Sequence, residues 1–463
     1  MQRMGDLVLS YPLLARLSVL FPGHPVWVVG ERHFYEPLLP LSPRVTYFEY
    51  DAAPGLETQA FHLVINLSHR PEAAALAGRL QALETIGPAM DGNGRLFIRG
   101  NWQIYRSSLT DNNRYNLFHW ADLNCLDLAN PYTMLRTVWP KVLAPQAQQA
   151  RIGLFLGASQ QEKHPDAHFW AGLCSRLLAM GHRPVLLGGK NELPLGASVA
   201  SSLGSPSLNL CGRFTVGELA EFFTQLDLLI TPDTGPMHVA AWLGVACLNL
   251  SLGPVNAWET GPTAPGHFVL RANLDCVGCW QCTQPEQKCR KAMTDARVTS
   301  VARAILDGDT KRLARPWPGL VLSQTHRDTH GLYTLVDCAP PPEAAYQERM
   351  ALSRFWQSWF AAQFGYLKKE NAQQAATSLR HAQPEKAAHL AASAALFARD
   401  VAKDAAGGRF CLVDNPDAWR NSSPLLHPFS GYAQMLAQNE LGSPVVRTRL
   451  IEMAEQLAAG LSG

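Results

Sequence analysis

Twice along the chain, short apolar runs of strand length alternate with segments of helical period, and a Pro/Gln/Ala-rich stretch near residues 141–149 separates the two series. This pattern constrains the fold more than composition does. Strands joined by helical crossovers pair in parallel and need helices to cover the sheet. The first series holds VWVVG (26–30), VTYFEY (45–50), HLVINL (62–67) and RLFIRG (95–100), with Ala/Leu-rich or Pro-broken pieces such as Glu72 to Leu83 between them. It opens on a helical segment, Leu7 to Phe21, closed by Pro22-Gly23; the strand expected ahead of that helix is missing, since only four residues precede Gly5. The second series holds RIGLFLG (151–157), PVLLGG (184–189), LNLCG (208–212), DLLITPD (227–233) and CLNLSLG (247–253), with helices near Ala167 to Met180, Val216 to Gln225 and from Met237. Two such α/β halves place a ligand in the cleft between them, at the carboxyl ends of the strands. Beyond about Pro316 the composition changes. Pro340 to Pro342 is a breaker, and the segments Glu343 to Gly365, Asn371 to Ala406 and Val445 to Leu461 are helical in period. This last region carries no catalytic signature; it either docks on the α/β body or mediates assembly.

Composition removes other classes. At 463 residues the chain predicts two to four domains, and 47% apolar with 17% charged residues is the balance of a protein with a proper core. Forty basic against thirty-eight acidic residues leave a net charge of +2, which is no electrostatic footprint for nucleic acid. Apolar runs are too short for a membrane span. Asp6, Tyr11, Pro12 and Arg16 interrupt the opening segment as a secretory signal, so the expectation is a soluble, cytoplasmic protein. Of ten cysteines, Cys125, Cys174, Cys211, Cys247, Cys338 and Cys411 are scattered and read as small buried apolar residues, whereas Cys276, Cys279, Cys282 and Cys289 cluster.

Three segments carry chemistry. In ITPDTGPMHVAAWLG (230–244) a strand ends at Asp233, small residues Thr234, Gly235 and Pro236 turn the chain, and a helix starts near Met237 with His238 in its first turn. Free N–H groups and the positive end of the dipole make such a helix start a cradle for a diphosphate; the plainer reading is a strand-to-helix turn with an Asp/Thr cap. In GASQQEKHPDAHFW (157–170) another strand runs into a loop bearing Ser159 and Lys163, a hydroxyl and a point charge for phosphate oxygens, or simply a solvated lysine. In MGDLVLSYP (4–12), Asp6 stands just before the first helix, where it serves as an N-cap or as a general base for a bound hydroxyl. The cysteine spacing, C-x2-C-x2-C-x6-C, could close a tetrahedral structural zinc or iron site, against a set of reduced loop thiols.

Taken together and in order, these segments resemble glycosyltransferase family 9, the lipopolysaccharide heptosyltransferases, over about residues 3–300. The resemblance rests on Gly5-Asp6 with Pro12, Ser159 with Lys163 and Trp170, Gly188-Gly189-Lys190-Asn191-Glu192, Asp233-Thr234-Gly235-Pro236-Met237-His238, Gly253-Pro254 and Thr260-Gly261-Pro262. It implies a GT-B fold of two Rossmann-like domains facing a cleft, with a helical carboxyl-terminal extension. Residues 1–145 would be the acceptor-side domain, 146–328 the nucleotide-sugar-binding domain and 329–463 the helical region. It also implies inverting transfer, with no cofactor required, from an ADP-heptose-like nucleotide sugar to a lipopolysaccharide, other glycan or protein hydroxyl, and at most peripheral contact with the inner face of the cytoplasmic membrane. Asp6 would be the base. Lys163 and the Thr234 and Gly235 amides would neutralise the leaving diphosphate, Glu192 would bond the ribose and Phe214 would flank the nucleobase. The alternatives are a sugar-nucleotide epimerase, or a non-catalytic metal-binding or assembly protein on the same scaffold. The region after residue 330 is longer than the family core requires, which points to a different acceptor.

Overall fold

The computed structural model describes residues 3–145, 148–274, 276, 278–280, 282, 284, 286–339, 343–407 and 410–462. The expected breaker at Pro340 to Pro342 lies outside the described residues. The chain divides into two compact units.

The first unit comprises residues up to Glu49, the short insert His119–Asp122, and Tyr132–Tyr346. Its body is a seven-stranded sheet built from β6 (Arg151–Phe155), β7 (Arg183–Leu187), β8 (Leu228–Pro232), β9 (Cys247–Ser251), β10 (Phe268–Ala272), β11 (Leu320–Arg327) and β12 (Tyr333–Asp337). The order across the sheet is β12-β11-β10-β9-β8-β6-β7. From β10 to β7 every pairing is parallel; β11 and β12 add an antiparallel hairpin at one edge. Strands β8 and β9 are buried along their whole length, as LLITP and CLNLS require when helices cover both faces. Ile152, Leu154, Leu186, Leu228, Ile230, Leu248 and Leu270 meet Trp170, Leu173 and Leu177 of the helix Ala167–Ala179 in the core.

Two differences from the sequence pattern stand out here. LNLCG is not a strand: Pro206 starts a short 3-10 turn, and only an isolated bridge from Leu186 to Asn209 remains. The sheet also runs on through β12 to Asp337, past residue 328, because the β11–β12 hairpin pairs with the edge strand β10 from far along the chain.

The same unit holds a separate parallel pair, β1 (Trp27–Gly30) with β2 (Thr46–Glu49), and the opening helix Met4–Leu20. That helix lies against the helix Gly235–Trp242: Tyr11 and Trp242 meet edge to face with ring centroids 5.5 Å apart. Trp242 also donates its indole N–H to the Leu41 carbonyl at 2.9 Å.

The second unit joins Tyr50–Phe118 and Leu123–Pro131 to the carboxyl-terminal helices from Gln347 onward. It contains a three-stranded sheet of β3 (Ala60–Ile65), β4 (Gln81–Met90) and β5 (Leu96–Arg99), parallel between β3 and β4 and antiparallel between β4 and β5. Strand β4 begins inside the Glu72 to Leu83 piece, whose helix ends at Arg79; the Ala/Leu-rich composition concealed the change of period. The carboxyl-terminal region is helical, as its period predicts, and it shares an aromatic core with residues 102–118. Trp102 sits 4.9 Å, centroid to centroid, from both Phe118 and Phe364; Tyr105 lies 4.5 Å from Phe360, and Phe364 5.1 Å from Tyr432. The expected continuous helix from Asn371 to Ala406 is two helices, broken at Gln383 because Pro384 takes the first-turn position of the second, where its missing N–H costs nothing.

Candidate active site

In the large sheet, β7 lies on one side of β6 and β8 on the other. The connection from β6 goes one way and the next strand returns to its opposite edge. Open α/β sheets bind ligands at such a switch point, outside the carboxyl ends of the strands. The loops that follow β6 and β8 are the two singled out in the sequence, and the fold brings them together. Lys163 Nζ donates to Asp233 Oδ2 at 2.9 Å, and both side chains are nearly buried, 12% and 8% exposed. Little water screens such a pair, so removing one partner would leave the other charge buried and unpaired.

Each loop is held internally. Lys163 N bonds the Gln160 carbonyl at 3.1 Å, and the His164 ring Nε2 lies 2.7 Å from the Ala158 carbonyl. Ser159 is exposed in the same loop. On the β8 side, Thr234 is the N-cap residue of Gly235–Trp242, extended at φ −156°, ψ 160°, but its side chain bonds no helix N–H. Among the described contacts, the Thr234 side chain does not cap this helix start and Asp233 pairs with Lys163. Pro236 occupies the first turn and is buried.

His238 is 4% exposed, and its Nδ1 has no hydrogen-bond partner among the described residues. Burial, reinforced by the Lys163 charge and opposed by Asp233, lowers its pKa to about 4. It is a neutral imidazole at physiological pH and adds no positive charge to the site.

The opening helix completes this corner. Its N-cap is Arg3, and Asp6 lies in the first turn, so the expectation that Asp6 stands ahead of the helix as its cap is corrected: the helix begins three residues earlier, at Met4. The two helix starts touch. A Cβ built on Gly5 would come within 3.3 Å of Gly235 Cα and 3.5 Å of His238 Cδ2; one on Gly235 would meet Gly5 N at 3.3 Å. Glycine at both positions eases that approach, which brings two helix starts, positive ends of their dipoles, together, with Asp6 in the first turn of one.

Glu192 lies between the ends of β6 and β7. One carboxylate oxygen accepts from Gly189 N–H at 2.7 Å, and the carboxyl group packs against Gly157. Phe214 is half-buried and stacks on Phe222 at 4.9 Å. No described contact joins Phe214 to the Lys163–Asp233 pair. The four clustered cysteines do converge: Cys276, Cys279, Cys282 and Cys289 line one pocket beside Glu162 and Gly253. Burial and then the three neighbouring thiols raise the pKa of Cys279. Among the described residues no group of three or more His, Cys, Asp or Glu side chains is already set as a metal cage.

Some residues at this site give no sequence signal. His119, fully buried, faces the Gly261 carbonyl through Nε2 at 2.9 Å while its Nδ1 accepts from Ala121 N–H at 3.1 Å; burial lowers its pKa to about 3. Asp122 accepts from Arg327 Nη1 at 2.6 Å and from the Tyr333 amide at 2.7 Å. Burial raises the Asp122 pKa, but the Arg327 and Arg16 charges outweigh it and leave it below the usual range. These contacts seat the insert 119–122 in the first unit, behind the Thr260-Gly261-Pro262 loop. The only hint in the sequence is a His and an Asp three apart in an otherwise apolar stretch.

A family model for glycosyltransferase family 9 (heptosyltransferase) matches residues 52–290, more than half of the chain. The chain belongs to glycosyltransferase family 9. Among curated relatives, a lipooligosaccharide heptosyltransferase 2 of Campylobacter jejuni is 30% identical over 163 residues, 34% of this chain and 50% of the relative. One of the same name from Haemophilus influenzae is 25% identical over 126 residues, 26% of this chain and 36% of the relative. The chain thus spans about half, or less, of the length of the curated relatives it matches. Two solved structures are also similar: a family 9 glycosyl transferase of Veillonella parvula, and the E. coli ADP-heptose LPS heptosyltransferase II. Each is 18% identical and covers 66% of this chain, with 95% and 96% of the other chain respectively and a TM-score of 0.49. The family 9 match includes the loops bearing Lys163 and Asp233 and all four clustered cysteines.

Proposed function

We propose that the protein is an inverting glycosyltransferase that moves heptose from an ADP-heptose-like donor to a hydroxyl of lipopolysaccharide or another glycan or protein acceptor. The observation that carries this reading is the Lys163–Asp233 pair set across the β6/β8 switch point, with two glycine-opened helix starts meeting beside it. Supporting it are the names of the relatives, heptosyltransferases all. An epimerase reading has no such support.

In this reading the diphosphate lies at the start of the helix Gly235–Trp242. Lys163 is an ammonium with three N–H donors; Asp233 takes one and holds Nζ in position, leaving two for phosphate oxygens. Negative charge grows on the diphosphate as its bond to the anomeric carbon breaks, so donors already aimed there act most strongly in the transition state. Asp6 takes the proton from the acceptor hydroxyl as its oxygen attacks that carbon from the opposite face, inverting it. Neutral His238 contributes shape and a hydrogen bond, not charge. Glu192, with one oxygen committed to Gly189, has the other for the ribose. Phe214 flanks the base, Ser159 reaches a phosphate oxygen, and the nucleotide-sugar-binding domain, expected over residues 146–328, carries on through the β12 strand of its sheet to Asp337. The enzyme works in the cytoplasm, at the membrane face where a lipid-borne acceptor is presented; among the described residues no helix is long and apolar enough to cross a membrane.

The donor set of the cysteine pocket, four thiols, suits zinc or iron, and a structural ion held by Cys276, Cys279, Cys282 and Cys289 belongs to the same proposal. Bound there, it would stabilise the loop and take no part in transfer. Elemental analysis of protein purified without added metal tests it: stoichiometric zinc or iron, absent from Cys279→Ser/Cys282→Ser, is expected, and four freely titrating thiols would remove it. For the transfer itself, Lys163→Ala should lower kcat/KM with ADP-heptose about a hundredfold or more with the fold intact. Unchanged kcat/KM would overturn the assignment.

A further inference from the structure

The cysteine pocket and the donor lysine meet at one short turn. Glu162, which lines the pocket with the four thiols, is the residue immediately before Lys163 in a three-residue 3-10 turn. On the pocket wall, Gly253 has φ +73°, and a Cβ there would lie 3.1 Å from the Glu162 carbonyl oxygen, so the two backbones are in contact. Just after the lysine, Arg290 Nη1 reaches the His164 carbonyl at 3.4 Å; Arg290 follows Cys289 in the helix Lys288–Ala292. The pocket wall therefore borders the chain just before Lys163, and the cysteine-bearing helix touches it just after.

We propose that this pocket is the support of the Lys163 turn, so that filling it with a thiophilic cation tightens nucleoside diphosphate binding. The inference rests on the metal reading above and adds a consequence for the donor site. The turn is held by the Lys163 amide on the Gln160 carbonyl, His164 on the Ala158 carbonyl and the Lys163–Asp233 pair, and short surface loops secured by so few bonds open at low free energy. An ion drawing the four sulfurs together would fix the wall against which Glu162 and His164 lie. Lys163 would then be presented to the diphosphate in one position, and less ordering would remain to be done on binding. Coupling is reciprocal: ADP must hold the metal more tightly by the same factor that the metal strengthens ADP.

The test is a cycle on the full chain. ADP affinity is measured by calorimetry in protein as purified, after metal removal by a chelator, and in Lys163→Ala in both states, with metal content determined each time. The expected result is about tenfold weaker ADP binding on metal removal, within the usual range of such couplings, and little or no change on removal in Lys163→Ala. Far-UV circular dichroism should be unchanged. Metal present but ADP affinity the same within twofold after removal overturns the coupling and leaves the metal reading standing. An equal loss in Lys163→Ala also overturns it, because the loss would then be general loosening. Protein that binds no zinc or iron at all removes the metal reading and this inference with it.

Discussion

Lowering the pH from 7.5 to 5 should destabilise the first unit far more than the second. His119, His238 and His267 are all essentially buried there, and burial holds their pKa values at about 3, 4 and 3, against 6.5 for an ordinary histidine. The unfolded chain therefore takes up protons through the window from 6.5 downward while the folded unit does not, and stability falls with falling pH. At pH 5 each histidine shifts the balance toward the unfolded chain by about 2 kcal/mol, and three by about 6 kcal/mol, a large share of a typical domain's total. His119 shows why the folded state resists: its Nδ1 accepts from the Ala121 amide, so a proton there would face an N–H donor. Asp122, held below its usual range, does not titrate in this window; His182, also lowered by burial, adds to the effect, and Asp328, raised by burial, opposes it. In the second unit the shifts oppose one another: His69, lowered to about 4, and His427, also lowered by burial, destabilise as pH falls, while Asp127, raised to about 6 by burial, favours the folded state. Urea unfolding at pH 7.5 and 5, with amide hydrogen exchange to separate the units, measures this. Protection of β8 and β9 should fall first, with a slope near three protons, and His119→Gln should reduce it toward two. Equal stability of the first unit at both pH values, within 1 kcal/mol, would refute the burial argument.

Asp6→Asn keeps the size of the side chain and should abolish most turnover while ADP affinity and melting temperature stay near wild type; unchanged turnover with lowered stability would make Asp6 a helix-start charge only. Gly235→Ala puts a Cβ 3.3 Å from Gly5 N and should separate the two helix starts, weakening ADP binding measured by calorimetry. Trp102→Ala removes the centre of the aromatic cluster in the second unit and should cost about 3–5 kcal/mol in urea unfolding, read at exchange-protected amides of residues 101–108.

Strand and helix order within the large sheet was legible because apolar runs such as LLITP and CLNLS are buried on both faces and keep their hydrophobic signal. The loops after β6 and β8 were legible for a related reason: small and charged residues directly after a buried strand have few structural uses. What the sequence concealed is long-range. Nothing local says that residues 102–118 share a core with helices beyond 347, or that His119–Asp122 cross to the other unit and bond Arg327 and Tyr333, more than 200 positions away. Hairpin β11–β12 went unseen because its polar residues, Ser323, Thr325 and Asp337, are satisfied by each other and by the neighbouring loop rather than by alternation of exposure. The helix start was placed three residues late, with Asp6 outside it, because the helix begins at Met4 after an N-cap, Arg3, that has no side-chain cap bond to mark it.

The central claim is that the Lys163–Asp233 corner receives the diphosphate of a heptose donor. The most direct measurement is ADP release from ADP-heptose with a lipopolysaccharide inner-core acceptor, followed in wild type and Lys163→Ala together with calorimetric ADP affinity. Acceptor-dependent release in the wild type, a loss of about a hundredfold or more in the variant, and weaker ADP binding there are expected. ADP binding at full strength in Lys163→Ala, or no preference of the wild type for ADP over UDP and GDP, would contradict it.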